Sequence, residues 1–180
     1  MVIVITGAIG VGKTTVCEKV IKIARTLGYS CGGILTHKAA HESLIALDIQ
    51  TGQTSILAST DNMFDGPTTP RYSFNPAAIK FAIRAINKAI DSDVLVVDEL
   101  GHLELAGEGF AKGLELVKTG KVKNSILVIR KELLPAFLAQ LDDTPSVFEV
   151  SLRTRDRLPR EICSSLIGDT PDSTQHVCID

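Results

Sequence analysis

The chain has 180 residues, 19 Lys plus Arg against 21 Asp plus Glu, a formal net charge of −2 and 44% apolar side chains, enough for one substantial core and too little for an elaborate multidomain architecture. Near neutrality, with the basic residues spread along the chain, argues against nucleic acid as a partner. No apolar run approaches the roughly 20 residues needed to cross a bilayer, and Cys17, Cys31, Cys163 and Cys178 form no C-x-x-C pair or compact disulfide framework, so a cytoplasmic protein with free thiols and no membrane association is expected.

Val2 to Thr6 is a short β-branched run of the kind found in strands buried on both faces. Gly7-Ala8-Ile9-Gly10-Val11-Gly12-Lys13-Thr14 follows at once and fits G-x-x-x-x-G-K-[ST]. Glycines let successive backbone N–H groups curl around a phosphate without Cβ clashes, and a helix starting behind them adds the positive end of its dipole. In such a loop Lys13 reaches the β- and γ-phosphates and the Thr14 hydroxyl ligates Mg²⁺. The Thr15 hydroxyl is placed for an α-phosphate or for capping the first helical turn. From Lys13 to Leu27, Val16, Val20, Ile23 and Leu27 recur at helical spacing until Gly28 ends the pattern.

Ser30 to Thr36 reads as a second strand. Ser43 to Asp48 and Thr54 to Ser59 flank the turn Gln50-Thr51-Gly52-Gln53 and predict an antiparallel hairpin. Ser59 to Arg71, with Asn62, Gly66, Pro67 and Pro70, reads as a long loop. Asn75-Pro76 opens a helix to about Asp91 with Ile79, Ile83, Ile86 and Ile90 on one face.

Val94 to Val97 is a fully apolar strand that runs into Asp98-Glu99. Set beside the first strand, it would bring Asp98 opposite the phosphate loop as a support for Mg²⁺, with Glu99 as general base for an attacking water. Glu104 either orients water or caps the next helix, expected from about Gly107 to Thr119. A strand at Ser125 to Ile129, a helix at Glu132 to Leu141, a strand at Val147 to Val150 and a helix from about Arg155 to Ser165 complete the pattern. Strands alternating with helices predict an α/β fold with a mostly parallel central sheet plus the hairpin. One domain over residues 1–167 is expected, followed by a polar tail at 168–180 that holds Asp169, Asp172 and Asp180 and no Lys or Arg.

These motifs together resemble the THEP1-type nucleoside-triphosphatases, also called cancer-related NTPases. Gly7 to Thr15 is similar to the family's G-x-x-G-x-G-K-T-T opening, and Asp98-Glu99-Leu100-Gly101-His102-Leu103-Glu104-Leu105 is similar to its D-E-[hydrophobic]-G-x-M-E-L signature, with Leu103 where Met is usual. Arg71-Tyr72-Ser73-Phe74, Arg130-Lys131 and Arg155 to Ile162 resemble later landmarks, so the likeness spans residues 1 to about 166. The resemblance implies a RecA-like, three-layer P-loop fold and slow, Mg²⁺-dependent hydrolysis of ATP, GTP and other nucleoside triphosphates, and it marks Lys13, Thr14, Asp98 and Glu99 in the roles above. His37-Lys38-Ala39-Ala40-His41 stands where the family commonly carries acidic and arginine residues.

Arg130, at the end of a predicted strand, is a candidate for the charge an arginine finger supplies at the γ-phosphate. Arg153, Arg155, Arg157 and Arg160 either close over the nucleotide or form a solvated helix face. No guanine-reading N-K-x-D occurs, since Asn87-Lys88-Ala89-Ile90-Asp91 is one residue too long and lies on an amphipathic helix, which predicts weak base selectivity. Tyr72 and Phe74 are candidate stacking partners. Three readings stand at this point: a nucleoside-triphosphate phosphohydrolase, a nucleotide or small-molecule kinase whose acceptor binds along Ser59 to Arg71, and a nucleotide-binding adaptor resembling molybdenum-cofactor assembly proteins.

Overall fold

The structure, a computed structural model, describes residues 1–141 and 144–167; the expected tail at 168–180, with Cys178, lies outside them. In chain order the elements are β1 (Val2–Gly7), α1 (Lys13–Thr26), β2 (Cys31–Lys38), β3 (Leu44–Asp48), β4 (Thr54–Ser59), β5 (Ser73–Phe74), α2 (Pro76–Lys88), β6 (Val94–Leu100), α3 (His102–Leu105), α4 (Ala111–Lys118), β7 (Ser125–Arg130), α5 (Leu134–Leu138), β8 (Ser146–Glu149) and α6 (Leu158–Ile167). The strands form one sheet in the order β5-β4-β3-β2-β6-β7-β1-β8. From β2 to β8 every pairing is parallel, and β3, β4 and β5 extend the sheet antiparallel. The expected hairpin is thus part of a larger antiparallel wing.

Period-two alternation sorts the central strands onto two cores. Ile3 and Ile5 of β1, Val94 and Val96 of β6, and Ile126 and Val128 of β7 pack with Val16, Val20 and Ala24 of α1 and Ile162 of α6. Their neighbours Val4, Leu95, Val97, Leu127 and Ile129 pack with α2, α4 and Phe137 of α5. Helices on both faces of a mostly parallel sheet make the three-layer α/β architecture expected from the sequence.

Helix positions depart from the periodic reading in instructive ways. On α1 the buried stripe is Val16, Cys17, Val20, Ile21 and Ala24, while Leu27 is 43% exposed. On α2, with Asn75 capping the Ala77 N–H at 3.0 Å, and on the 3₁₀ turn Ala89–Asp91 behind it, the fully buried positions are Ala78, Ala82, Ala85, Ile86 and Ala89, and Ile79, Ile83 and Ile90 flank them half-buried. Small side chains let the helix and this turn lie directly on the sheet: a Cβ at Gly32 would come 2.7 Å from the Cβ of Ala89.

The helix expected over 107–119 shortens to α4, preceded by a turn in which Gly107 (φ 81) and Gly109 (φ 55) take left-handed backbone, and the stretch before that turn forms the short α3. The helix expected over 132–141 shortens to α5 after a 3₁₀ turn at Lys131–Leu133. The last helix starts at Leu158 rather than Arg155, because Thr154 holds the preceding residues in a turn by accepting from the Ser151 N–H at 2.9 Å and donating to Glu149 O at 3.1 Å.

Backbone approach between β2 and β6 depends on Gly33, where φ is +105 and an added Cβ would stand 2.1 Å from Val96 O. Gly33→Ala is expected to cost about 2–4 kcal/mol, seen as a fall in melting temperature of roughly 5–15 °C. Gly52→Ala, also at positive φ (+72) but in open space, is expected to cost only about 1–2 kcal/mol.

Candidate active site

Strand β1 delivers the phosphate loop to the C-terminal edge of the sheet, where Gly10 (φ 77) and Gly12 (φ 103) turn the chain into α1. Gly7 is required by a close approach: a Cβ there would meet Val150 O at 2.6 Å, because Val150 N–H donates to Thr6 O as the chain leaves β8. Ala8, Ile9 and Gly10 stay exposed, leaving the rim of the loop open. Lys13 folds back under it, 7% exposed, with Nζ donating to Gly7 O (3.2 Å) and Ala8 O (3.1 Å). These carbonyls hold the ammonium where a β- or γ-phosphate would lie above the loop.

The acidic pair leaves β6 through an irregularity. Val97 pairs with Leu127 and Leu100 with Ile129, three steps on one strand against two on the other, so Asp98 and Glu99 stand out of the ladder toward the loop. Asp98 is 1% exposed. Its Oδ2 accepts from the Thr14 hydroxyl at 2.8 Å and from the Thr36 N–H at 3.3 Å, while the Thr36 hydroxyl bonds the Asp98 carbonyl. Burial pushes the Asp98 carboxyl up to about 7, with the Thr14 hydrogen bond opposing and the neighbouring Glu99 charge adding to it. Thr36 has no counterpart among the residues singled out in the sequence. Its only signal there is a polar residue ending the apolar run Ile34-Leu35.

The expectation that the Asp98 strand lies beside the first strand is corrected by the sheet order: β7 runs between β6 and β1. The two ends still meet because a side chain from α1, Thr14, spans the gap. The inserted strand also has a consequence that local sequence does not reveal. Arg130, the last residue of β7, stands in register with Gly7, and its Nε donates to Glu99 Oε1 at 3.2 Å. The same oxygen is 3.8 Å from Lys13 Nζ. Glu99, with 27% of its side chain exposed, is thus held between two cations at the mouth of the loop.

Glu104 serves as a cap. Oε2 accepts the Gly101 N–H at 2.7 Å and Oε1 the Phe110 N–H at 2.8 Å, satisfying donors at the starts of α3 and α4; burial raises its pKa against these two bonds. Glu104→Ala leaves the buried Phe110 N–H and the partly buried Gly101 N–H without this partner and is expected to lose about 2–4 kcal/mol in chemical denaturation.

A cleft of about 500 Å³ runs from the loop past these residues and includes Thr15, His37, Lys38, Arg71, Tyr72 and Phe74 in its lining. His37 lies 3.9 Å from Glu18. Of the late arginines, Arg155 approaches the loop, its Cδ 4.0 Å from where a Cβ on Gly12 would stand, and Arg157 pairs with Glu161 at 3.3 Å. Asn87 and Lys88 sit exposed at the end of α2. Cys17, Cys31 and Cys163 are free and buried.

The donors at Thr14 and Asp98 suit a small hard cation. Both are oxygens, they touch each other, and burial disfavours the ionised carboxylate. A cation bound there would favour the ionised form.

A family model described as NTPase matches residues 2–163. The chain is 30% identical over 168 residues to the nucleoside-triphosphatase THEP1 of Methanosarcina barkeri, covering 90% of this chain and 95% of the relative. It is 31% identical over 175 residues to that of Methanothermobacter thermautotrophicus, covering 94% and 97%. The fold is shared with the crystal structure of THEP1 from the hyperthermophile Aquifex aeolicus, at a TM-score of 0.76 and 24% identity over 93% of this chain and 99% of that one. It is shared also with the solution structure of a human cancer-related nucleoside triphosphatase, at 0.70 and 19% over 93% and 98%. The family model over residues 2–163, with likeness to these relatives along nearly the whole chain and a phosphate loop facing a strand-end acidic pair, places this protein in the THEP1-type nucleoside-triphosphatase family.

Proposed function

We propose that the chain is an Mg²⁺-dependent nucleoside-triphosphate phosphohydrolase, converting NTP and water to NDP and phosphate with broad base acceptance and slow turnover. The observation that carries this reading is the convergence of Lys13, the Thr14–Asp98 pair, Glu99 and Arg130 at the mouth of one loop, contributed by three different elements, α1, β6 and β7. Backbone N–H groups from Gly7 to Thr15 and the start of α1 hold the phosphates. Thr14 and Asp98 would hold Mg²⁺, which would supply positive charge against the phosphates.

Glu99 accepts a proton from the attacking water as the water oxygen bonds to the γ-phosphorus. The bond from that phosphorus to the bridging oxygen breaks, and NDP leaves with the electron pair. Lys13 and Arg130 stabilise the charge on the transferred group. Slow turnover fits the resting ion pairs of Glu99, which open before it can serve as base. Broad base acceptance fits the exposed Asn87 and Lys88 on α2, a helix removed from the loop. The reading extends to a single catalytic domain over residues 1–167 and to a cytoplasmic enzyme acting on free ATP, GTP and other nucleotides, for which the buried free thiols are suited. No helix among the described residues is long and apolar enough to cross a membrane.

Phosphate release from ATP, GTP, CTP and UTP tests the reading. Release with Mg²⁺ is expected for all four, with loss on adding EDTA. In Glu99→Gln, nucleotide binding is expected to persist while hydrolysis falls by about 10²–10⁴. Equal rates with and without EDTA, or an unimpaired Glu99→Gln variant, would show that the assigned chemistry is wrong.

A further inference from the structure

The cleft continues well beyond what a water molecule requires. Its phosphate end lies at β1, and the groups around the γ-phosphate stand on β7 and β6. The lining then passes β2 and reaches Leu44 of β3, Leu57 of β4 and Phe74 of β5. Strand β4 is five places from β1, roughly 24 Å at about 4.8 Å per strand. This far end is apolar: Leu44, Leu57, Tyr72, Phe74, Leu103 and Phe110 line it, and all but Leu103 belong to or pack against the core around α2 and α4. Tyr72 and Phe74 meet edge to face, with centroids 6.4 Å apart.

The rim of the same end is basic. Arg71 stands 5.5 Å over the Tyr72 ring and pairs with Glu42 at 2.8 Å. Lys38 is exposed and makes no ion pair among the described residues. An apolar, aromatic-walled recess with one uncommitted cation at its edge has the chemistry of a site for a flat, ring-bearing anion, and about 500 Å³ for the whole cleft lies within the usual range for small-molecule pockets.

We infer that the far end of the cleft is a second ligand site, distinct from the nucleotide's, for a small molecule with an aromatic or heteroaromatic body and an anionic group. The ring lies against Tyr72, Phe74 and Leu44, and the anion faces Lys38. Its position rests on the assignment of the γ-phosphate to Lys13, Glu99 and Arg130, since the recess then lies past the γ-phosphate, on the side from which the attacking group arrives. Ligand and nucleotide therefore bind together rather than in competition.

Anilinonaphthalene sulfonate, a fused aromatic body carrying a sulfonate, is the probe, titrated by fluorescence against the full chain. One probe per chain is expected to bind, with an affinity that persists when the nucleotide site is filled by a non-hydrolysable ATP analogue and Mg²⁺. Tyr72→Ala and the surface change Lys38→Glu are each expected to weaken probe binding at least tenfold, with circular dichroism showing that both variants fold. Displacement of the probe by the ATP analogue would overturn the inference, because the recess would then hold the nucleobase. Absence of probe binding, or equal binding by wild type and both folded variants, would overturn it as well. Calorimetry of the ATP analogue alone separates this outcome from failure of the hydrolase reading, which predicts analogue binding and phosphate release whatever the probe does.

Discussion

Lys13→Ala is expected to bring phosphate release from every nucleoside triphosphate down to background. The ammonium is buried beneath the loop and held by Gly7 O and Ala8 O at 3.2 and 3.1 Å, so it is placed before the nucleotide arrives and needs little rearrangement to meet a phosphate. Removing it leaves two loop carbonyls turned toward the phosphates with no cation between, which opposes binding as well as catalysis. The variant should therefore fail in nucleotide titration by calorimetry, unlike Glu99→Gln. Lys13 is also 3.8 Å from Glu99, so its loss leaves Glu99 with Arg130 alone. Activity retained in Lys13→Ala would mean that the phosphates lie elsewhere.

Arg130→Ala carries the second largest expected effect, a loss in turnover of about 10³–10⁵ if the guanidinium meets the γ-phosphate as an arginine finger does. Its position supports that size of effect. Register with Gly7 sets it beside the loop, and the 3.2 Å contact to Glu99 Oε1 brings its side chain to the proposed general base. A γ-phosphate carries more charge than a carboxylate and would draw the guanidinium away, freeing Glu99 to accept a proton. Arg130→Lys is expected to recover little, because a point charge does not reproduce the planar fork. The discriminating measurement is turnover against KM: a fall in turnover with KM nearly unchanged marks a transition-state contact. A fall of less than about tenfold in Arg130→Ala would reduce Arg130 to a surface partner of Glu99.

The phosphate loop was readable from the chain because each of its requirements is local. Glycines at 7, 10 and 12 take backbone conformations that other residues resist, and the helix begins at Lys13 whatever else surrounds it. Asp98 and Glu99 were readable for a similar reason, as charges ending a run of four apolar residues. Helix faces were read less well. Large apolar side chains marked Ile79, Ile83, Ile86 and Ile90 as the inner face of the helix opened by Asn75-Pro76; Ile86 is fully buried, but the rest of the buried stripe is alanine, because closeness between helix and strand is limited by side-chain size and not by hydrophobicity alone. The start of α4 was placed too early, at Gly107, because two glycines inside an otherwise periodic stretch are tolerated in many helices; here the buried Glu104 carboxylate, accepting from Phe110 N–H, holds a turn ahead of Ala111.

The sequence by itself determined the layered α/β class, the hairpin, the phosphate loop and the identity of the strand-end carboxylates, since these follow from periodicity and from residues adjacent in the chain. Tertiary structure alone decided which strands are neighbours. By setting β7 between β1 and β6 it brought Arg130 against Glu99, let Thr14 reach Asp98, and put Thr36 from β2 behind that carboxylate. Strand order is a global property, set by which buried faces fit together once all the helices are packed. No single segment carries it, and the geometry of the catalytic mouth waits on that packing.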